Sequence, residues 1–131
     1  MPRLLGYLDT LLRPRLGLRF DNGARLDVLV DTGFNGGLLL GEQTARRVGV
    51  SLLTGWRILT VAGGGPPIRV QEGEVDLVWL SSPPSRRASV FVHAPEPARR
   101  RGEPDGLLGM LLIAPDKLLI DCLNGQVSIE T

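Results

Sequence analysis

The stretch LDVLVDTGFNGG, residues 26–37, joins an alternating apolar segment to a glycine-rich turn. The alternation predicts a strand with one buried face, which ends at Asp31. A carboxylate at a strand end, followed by a hydroxyl and a glycine, can be presented at the floor of a cleft. The hydroxyl of Thr32 can hydrogen-bond neighbouring backbone, and Gly33 lets another backbone approach closely. Taken alone, the tripeptide is more typical of an ordinary strand-ending turn.

Strand and turn signals dominate the rest of the chain. Two Asn-Gly pairs, at 22–23 and 124–125, lie between apolar segments and predict tight hairpins. Residues 42–48 predict a short helix, closed by Gly49. The pattern indicates one mostly β, barrel-like domain over residues 1–131 with one or two short helices. The expected strands cover residues 3–10, 15–31 (two strands), 38–40, 56–62, 68–80 with a bulge at Gly73, 88–94, 107–113 (running into a helix) and 118–130 (two strands).

Length and composition restrict the classes of function. The 131 residues carry 15 basic and 14 acidic side chains, so that no general attraction for nucleic acid or anionic lipid is expected. One cysteine, Cys122, and one histidine, His93, exclude an internal disulfide, a thiolate cluster and a multi-histidine metal site within one chain. No segment has the pattern of a signal peptide or the ~20 apolar residues of a membrane span. We therefore expect a cytoplasmic protein.

The order of the elements resembles the retropepsin-like aspartic proteases (clan AA), and more closely their bacterial and archaeal members with an Asp-Thr-Gly-Phe motif. The resemblance covers about residues 6–130. Its pieces occur in the family's order: the strand VLVDTGF at 28–34, the LLL run with the short helix, the hairpin TVAGGGPPIRV at 60–70, the triplet Leu107-Leu108-Gly109, and the hairpin IDCLNGQVSIE at 120–130.

The resemblance implies a fold, a reaction and a set of site residues. The fold is the closed barrel of the acid proteases, and the activity is that of an aspartic endopeptidase that needs no metal or organic cofactor. In such a site two carboxylates share one proton, so that one activates water while the other protonates the carbonyl oxygen. The implied residues are Asp31 as the catalytic carboxylate, Thr32, Gly33 and Phe34 in the active-site turn, Ala62, Gly63, Gly64 and Gly65 in a mobile flap, and Leu107, Leu108 and Gly109 packed behind the aspartate.

The single motif has a consequence for assembly. No second Asp-Thr-Gly or Asp-Ser-Gly occurs in the sequence, so an active site requires a homodimer in which each chain supplies Asp31. An extended peptide or protein substrate would bind by strand-like pairing. The terminal segments 3–10 and 126–130 are the expected edge strands for pairing with the second chain.

Two departures from the family pattern favour an alternative. Phe34 stands where retroviral and pepsin-like enzymes usually have Ala or Ser, and its ring could narrow a subsite or fold away into the core. Met110 and Asn35 occupy the positions of a supporting Arg and Asp, so that the ion pair is missing but no charge is left unpaired. The alternative is a catalytically weak or inactive retropepsin-like module that dimerises or binds peptides.

The remaining polar and aromatic candidates have ordinary explanations. His93 lies on an alternating strand without clustered ligands, and Cys122 is expected to be a small buried residue. Trp56 and Trp79 are expected to be packing residues. The arginines at 99–101 are expected to be solvated in a loop. The acidic side chains of Glu72, Glu74 and Asp76 are expected to form the exposed face of a strand rather than a metal site.

Overall fold

Six strands close a barrel in the part of the chain that the computed structural model describes, residues 3–60, 65–80, 85–114 and 116–131. Their order around the barrel is β2–β3–β9–β4–β8–β7, and a short β2–β7 pairing closes the ring. The predicted mostly β barrel with one or two short helices is therefore confirmed, and the number of helices is two. The elements are β1 Arg3–Leu8, β2 Pro14–Phe20, β3 Arg25–Val30, β4 Leu38–Gly41, α1 Glu42–Val48, β5 Ser51–Leu52, β6 Arg57–Leu59, β7 Ile68–Val78, β8 Arg86–Ala94, β9 Gly106–Leu108, α2 Met110–Ile113, β10 Lys117–Asp121 and β11 Gln126–Glu130.

Local signals account for the turns and for the first helix. Gly23 and Gly125 have φ of 88° and 66°, the left-handed conformation that the predicted hairpin turns require. The helix α1 ends at Gly49, which is also left-handed and whose N–H donates to the carbonyl of Arg46. These are the boundaries that the sequence predicts for the helix and for the β2–β3 and β10–β11 hairpins.

The core fills the inside of the barrel. Alternate residues of the six strands point inward, and α1 and α2 add apolar side chains. Each fully buried aliphatic or aromatic side chain contributes about 1.5–3 kcal/mol relative to exposure. The most fully buried include Leu16, Leu18, Phe20, Val28, Leu38, Leu40, Leu77, Leu108, Ile113 and Ile129.

A parallel pairing in the wall of the barrel positions the end of β3. β9 lies between β3, to which it is parallel, and β4, to which it is antiparallel. Asp105, just before β9, exchanges two hydrogen bonds with Asp27: each backbone N–H donates to the other residue, at 2.7 Å in both cases. The N–H of Asp31 donates to the carbonyl of Leu108 at 2.9 Å. The register of the two strands is thus fixed at both ends.

A polar cluster covers the outer side of β2 and β3. The Arg15 side chain is 5% exposed, and its guanidinium donates to Asp27, to Asp9 and to the carbonyl of Gly102 at 3.0–3.1 Å. The Tyr7 hydroxyl donates to Asp27 at 2.6 Å. Because its charge has two carboxylate partners, this arginine can be buried without an uncompensated charge.

Several expectations about strands are wrong. The terminal strands β1 and β11 pair with each other and with β2 and β10 respectively, so neither is the edge strand that we expected. Within the described residues, β10 is paired on one side only, as are the short strands β5 and β6. The β7–β8 register is continuous through Gly73, so the predicted bulge does not occur there.

The strand expected over 56–62 is shorter than predicted. It covers Arg57–Leu59, and Val61 and Ala62 lie outside the described residues. Among the described helices, neither has the length and apolar character needed to cross a membrane.

The acid stability of the fold should depend on Asp9. Desolvation alone would raise its pKa, but hydrogen bonds from the Arg13 backbone and guanidinium and from the Leu11 N–H lower the pKa from 3.8 to about 2. A lowered pKa stabilises the fold above about pH 4, and this contribution is lost as the pH falls from about 4 to about 2. We expect Asp9→Asn to flatten the fall in the free energy of unfolding over that range, measured by urea unfolding. An unchanged pH profile in the variant would contradict this role.

Candidate active site

Asp31 lies directly after β3, where the parallel pairing with β9 ends. It is half-buried, and its side-chain oxygen Oδ1 accepts a hydrogen bond from the Gly33 N–H at 3.0 Å. The Asp31 carbonyl accepts from the N–H of Phe34 at 3.1 Å, which closes the turn. Thr32 and Gly33 are exposed. The structure thus presents a carboxylate at the surface on a turn whose conformation is fixed by hydrogen bonds.

Backbone hydrogen bonds tie this turn to the start of α2. The N–H of Met110 donates to the carbonyl of Phe34 at 2.9 Å, and the N–H of Gly109 donates to the carbonyl of Gly37 at 2.8 Å. The predicted element Leu107-Leu108-Gly109 therefore does contact the turn: Leu108 through the bond to Asp31, and Gly109 through the segment that follows. Leu107 is half-buried on the outer side of the barrel.

The ring of Phe34 packs onto the protein. A Cβ at Gly36 would lie 2.5 Å from the Phe34 ring, and one at Gly109 would lie 2.6 Å from it. The ring centroid is 6.2 Å from that of Phe91 on β8. The sequence left open whether the ring narrows a subsite or folds away into the core. The ring is half-buried against glycine backbone and Phe91, and it lies outside the main core cluster.

The close approach expected at Gly33 is found at other glycines. In the described part of the chain, the position of a Cβ at Gly33 meets only the Asp31 carboxylate, at an ordinary 3.4 Å. Gly37 instead approaches the carbonyl of Ser89 on β8, and Gly109 approaches the carbonyl of Phe34. The glycine-rich run after the motif was the sequence signal for this packing, but its partners are distant in sequence.

An apolar row runs across the outer wall of the barrel next to Asp31. Leu29 on β3 pairs with Leu107 on β9, Leu107 with Leu39 on β4, and Leu39 with Phe91 on β8. Alternation along β3 puts Leu29 on the same side as Asp31. We call these four half-buried residues the outer apolar row, which extends over about 14 Å at the usual strand spacing.

The hairpin predicted as a flap is present in its two arms. β6 pairs antiparallel with β7 over Arg57–Leu59. Gly65 is exposed, whereas Ala62, Gly63 and Gly64 lie outside the described residues.

The other candidates divide between confirmed and wrong predictions. Cys122 is exposed rather than buried, because it follows the edge strand β10, where Ile120 is also exposed. Trp79 is buried as expected, with its indole N–H on Asp116 at 2.8 Å, but Trp56 is 39% exposed. His93 is half-buried.

The acidic face of β7 is occupied by ion pairs. Glu72 pairs with Arg57, and both Glu74 and Asp76 pair with Arg87, at 3.0–3.2 Å. In the residues that the structure describes, no group of three or more His, Cys, Asp or Glu side chains is arranged to hold a metal ion.

A six-stranded barrel that presents one Asp-Thr-Gly turn beside a strand-to-helix Leu-Leu-Gly element defines the class of retropepsin-like folds. A family model described as aspartyl protease matches residues 17–112, which is most of the chain. The chain belongs to this retropepsin-like aspartyl protease family. No curated protein sequence matches it significantly.

The packing of Phe34 predicts the effect of a methyl group at Gly109. Gly109→Ala should lower the free energy of unfolding by about 1–3 kcal/mol, because its Cβ would overlap the Gly36 carbonyl first and then the Phe34 ring and carbonyl. Gly17→Ala on β2 is the matched control, since its Cβ would meet nothing within 4 Å. Equal effects of the two variants in urea unfolding would contradict this packing.

Proposed function

We propose that the chain is a homodimeric aspartic endopeptidase in which each copy supplies one Asp31. The observation that carries the proposal is the half-exposed carboxylate of Asp31 on a fixed turn, together with the single motif in each chain. A pair of carboxylates therefore has to come from two copies related by a two-fold axis.

In the proposed reaction the two carboxylates share one proton. The ionised carboxylate accepts a proton from water, whose oxygen attacks the peptide carbonyl carbon, while the protonated one donates to the carbonyl oxygen. The tetrahedral intermediate collapses when the C–N bond breaks: the amine takes a proton from the carboxylic acid, and the ionised carboxylate accepts a proton from a hydroxyl of the intermediate, which restores the shared proton. Since both charge forms are needed at once, we expect an acid-leaning optimum. No step calls for a metal or an organic cofactor.

The outer apolar row supports an extended peptide with apolar side chains as the substrate. It begins at Leu29, two residues before Asp31, and continues through Leu107 and Leu39 without a charged side chain. A half-buried apolar row next to a reactive group is typical of a binding surface. We therefore propose that apolar side chains next to the scissile bond contact this row.

A separate exposed apolar surface supports contact with a second copy. Leu5 and Leu119 flank Ser128 on one side of the terminal sheet and are 63% and 48% exposed. Ile120, on the other face of β10 beside Val127, and Leu123, just after β10, are also exposed along this open edge. An unpaired edge strand with exposed apolar side chains is unusual in a monomer, and a second chain would cover it.

The role of Asp31 is tested by a single substitution. Asp31→Asn should lower peptide cleavage by about 10²–10⁴-fold while the fold is retained, because the amide can accept no proton from water. Asp76→Asn, on the ion-paired face of β7, is the matched control and should keep full cleavage. Cleavage is measured with a peptide library near pH 5, and the dimer by sedimentation over a wide concentration range.

Two results would contradict the proposal. One is cleavage that is unchanged in Asp31→Asn, and the other is a wild-type chain that stays monomeric at every concentration. A dimer that binds peptides and never cleaves them, with or without Asp31, would instead support the inactive peptide-binding module.

A further inference from the structure

The residue after the Asp-Thr-Gly motif is connected to the β6–β7 hairpin by a series of contacts. The Phe34 and Phe91 rings lie 6.2 Å apart at 54°, a tilted arrangement that is favourable for aromatic pairs. The guanidinium carbon of Arg57, the first residue of β6, lies 5.7 Å from the Phe91 centroid. This distance is within the range of an attractive cation–π contact.

Glu72 holds the Arg57 side chain over Phe91. Glu72 pairs directly with Phe91 across β7 and β8, and its carboxylate lies 3.1 Å from the guanidinium. Arg57 in turn pairs with Val70, two residues from Glu72, on the same side of β7. The arginine is therefore fixed between a carboxylate and an aromatic ring.

β6 has few other attachments within the described residues. It is three residues long and pairs with β7 alone. Ile58 is 62% exposed, so its burial adds little to the stability of the arm. The contact of Arg57 with Phe91 joins this arm to β8, whose Phe91 ring packs against Phe34.

We propose that Phe34 and Phe91 position the β6 arm of the hairpin through Arg57. Phe34 confines the Phe91 ring, Phe91 offers its face to the guanidinium, and Arg57 carries the arm. An Ala or Ser at position 34, as is usual in retroviral and pepsin-like enzymes, would not reach Phe91. The proposal concerns the free chain and does not rest on the proposed function.

The experiment measures amide hydrogen exchange by NMR for residues 57–59 and 68–70, with the β2 and β3 amides as the internal reference. Phe91→Leu and Arg57→Gln should each raise the amide exchange rate in the hairpin by about two- to five-fold and leave the reference amides unchanged. The reason is that loss of a half-exposed cation–π contact should increase the population of the opened hairpin by about that factor. Phe91→Tyr should behave like the wild type, since the ring face is kept.

A double variant separates positioning from general destabilisation. If Arg57 acts through Phe91, then Phe91→Leu combined with Arg57→Gln should exchange no faster than the faster single variant. Arg69→Gln is the matched control, because Arg69 lies 5.1 Å over the ring of Trp56 instead. Its effect should multiply with that of Phe91→Leu.

Unchanged hairpin exchange in Phe91→Leu would overturn the proposal, and so would effects of Phe91→Leu and Arg57→Gln that multiply. Because exchange is measured on the free protein, it does not depend on cleavage. Faster hairpin exchange in a chain that cleaves nothing would support positioning and contradict the peptidase; unchanged exchange in a chain whose cleavage depends on Asp31 would do the reverse.

Discussion

The parallel pairing of β3 with β9 is the constraint on which the site depends. The reciprocal bonds between Asp27 and Asp105 begin it, and the bond from the Asp31 N–H to the Leu108 carbonyl ends it. Because the register is fixed at both ends, the turn after β3 has to meet the start of α2. That meeting brings Gly109 against the segment after the motif and leaves the Asp31 carboxylate at the surface.

The contacts of Phe34 explain how the turn is held without the ion pair that the family resemblance leads one to expect. Met110 and Asn35 are neutral, so no charge is buried without a partner. In its place, the Phe34 ring packs on two glycines and on Phe91, and the Phe34 carbonyl accepts from the Met110 N–H. A ring held in this way is also available to support Arg57.

The sequence predicted the elements whose signals are local. The turn at 22–23, the helix ending at Gly49 and the closing hairpin follow from residues within a few positions of one another. Predictions failed where distant contacts decide. Cys122 was expected inside, yet it is exposed because β10 is an edge strand. Phe91 gives no signal as a single residue, since its neighbours Leu39 on β4 and Glu72 on β7 are set by strand registers that no local pattern reports.

Activity in mixtures of wild-type and Asp31→Asn chains tests most directly whether two copies share one site. The two chains are unfolded together in equal amounts and refolded, so that dimers form at random. A shared site needs two intact copies, so activity should fall to about a quarter of that of the same total amount of wild-type chain. Retention of about half would mean that each chain acts alone, and would contradict the account.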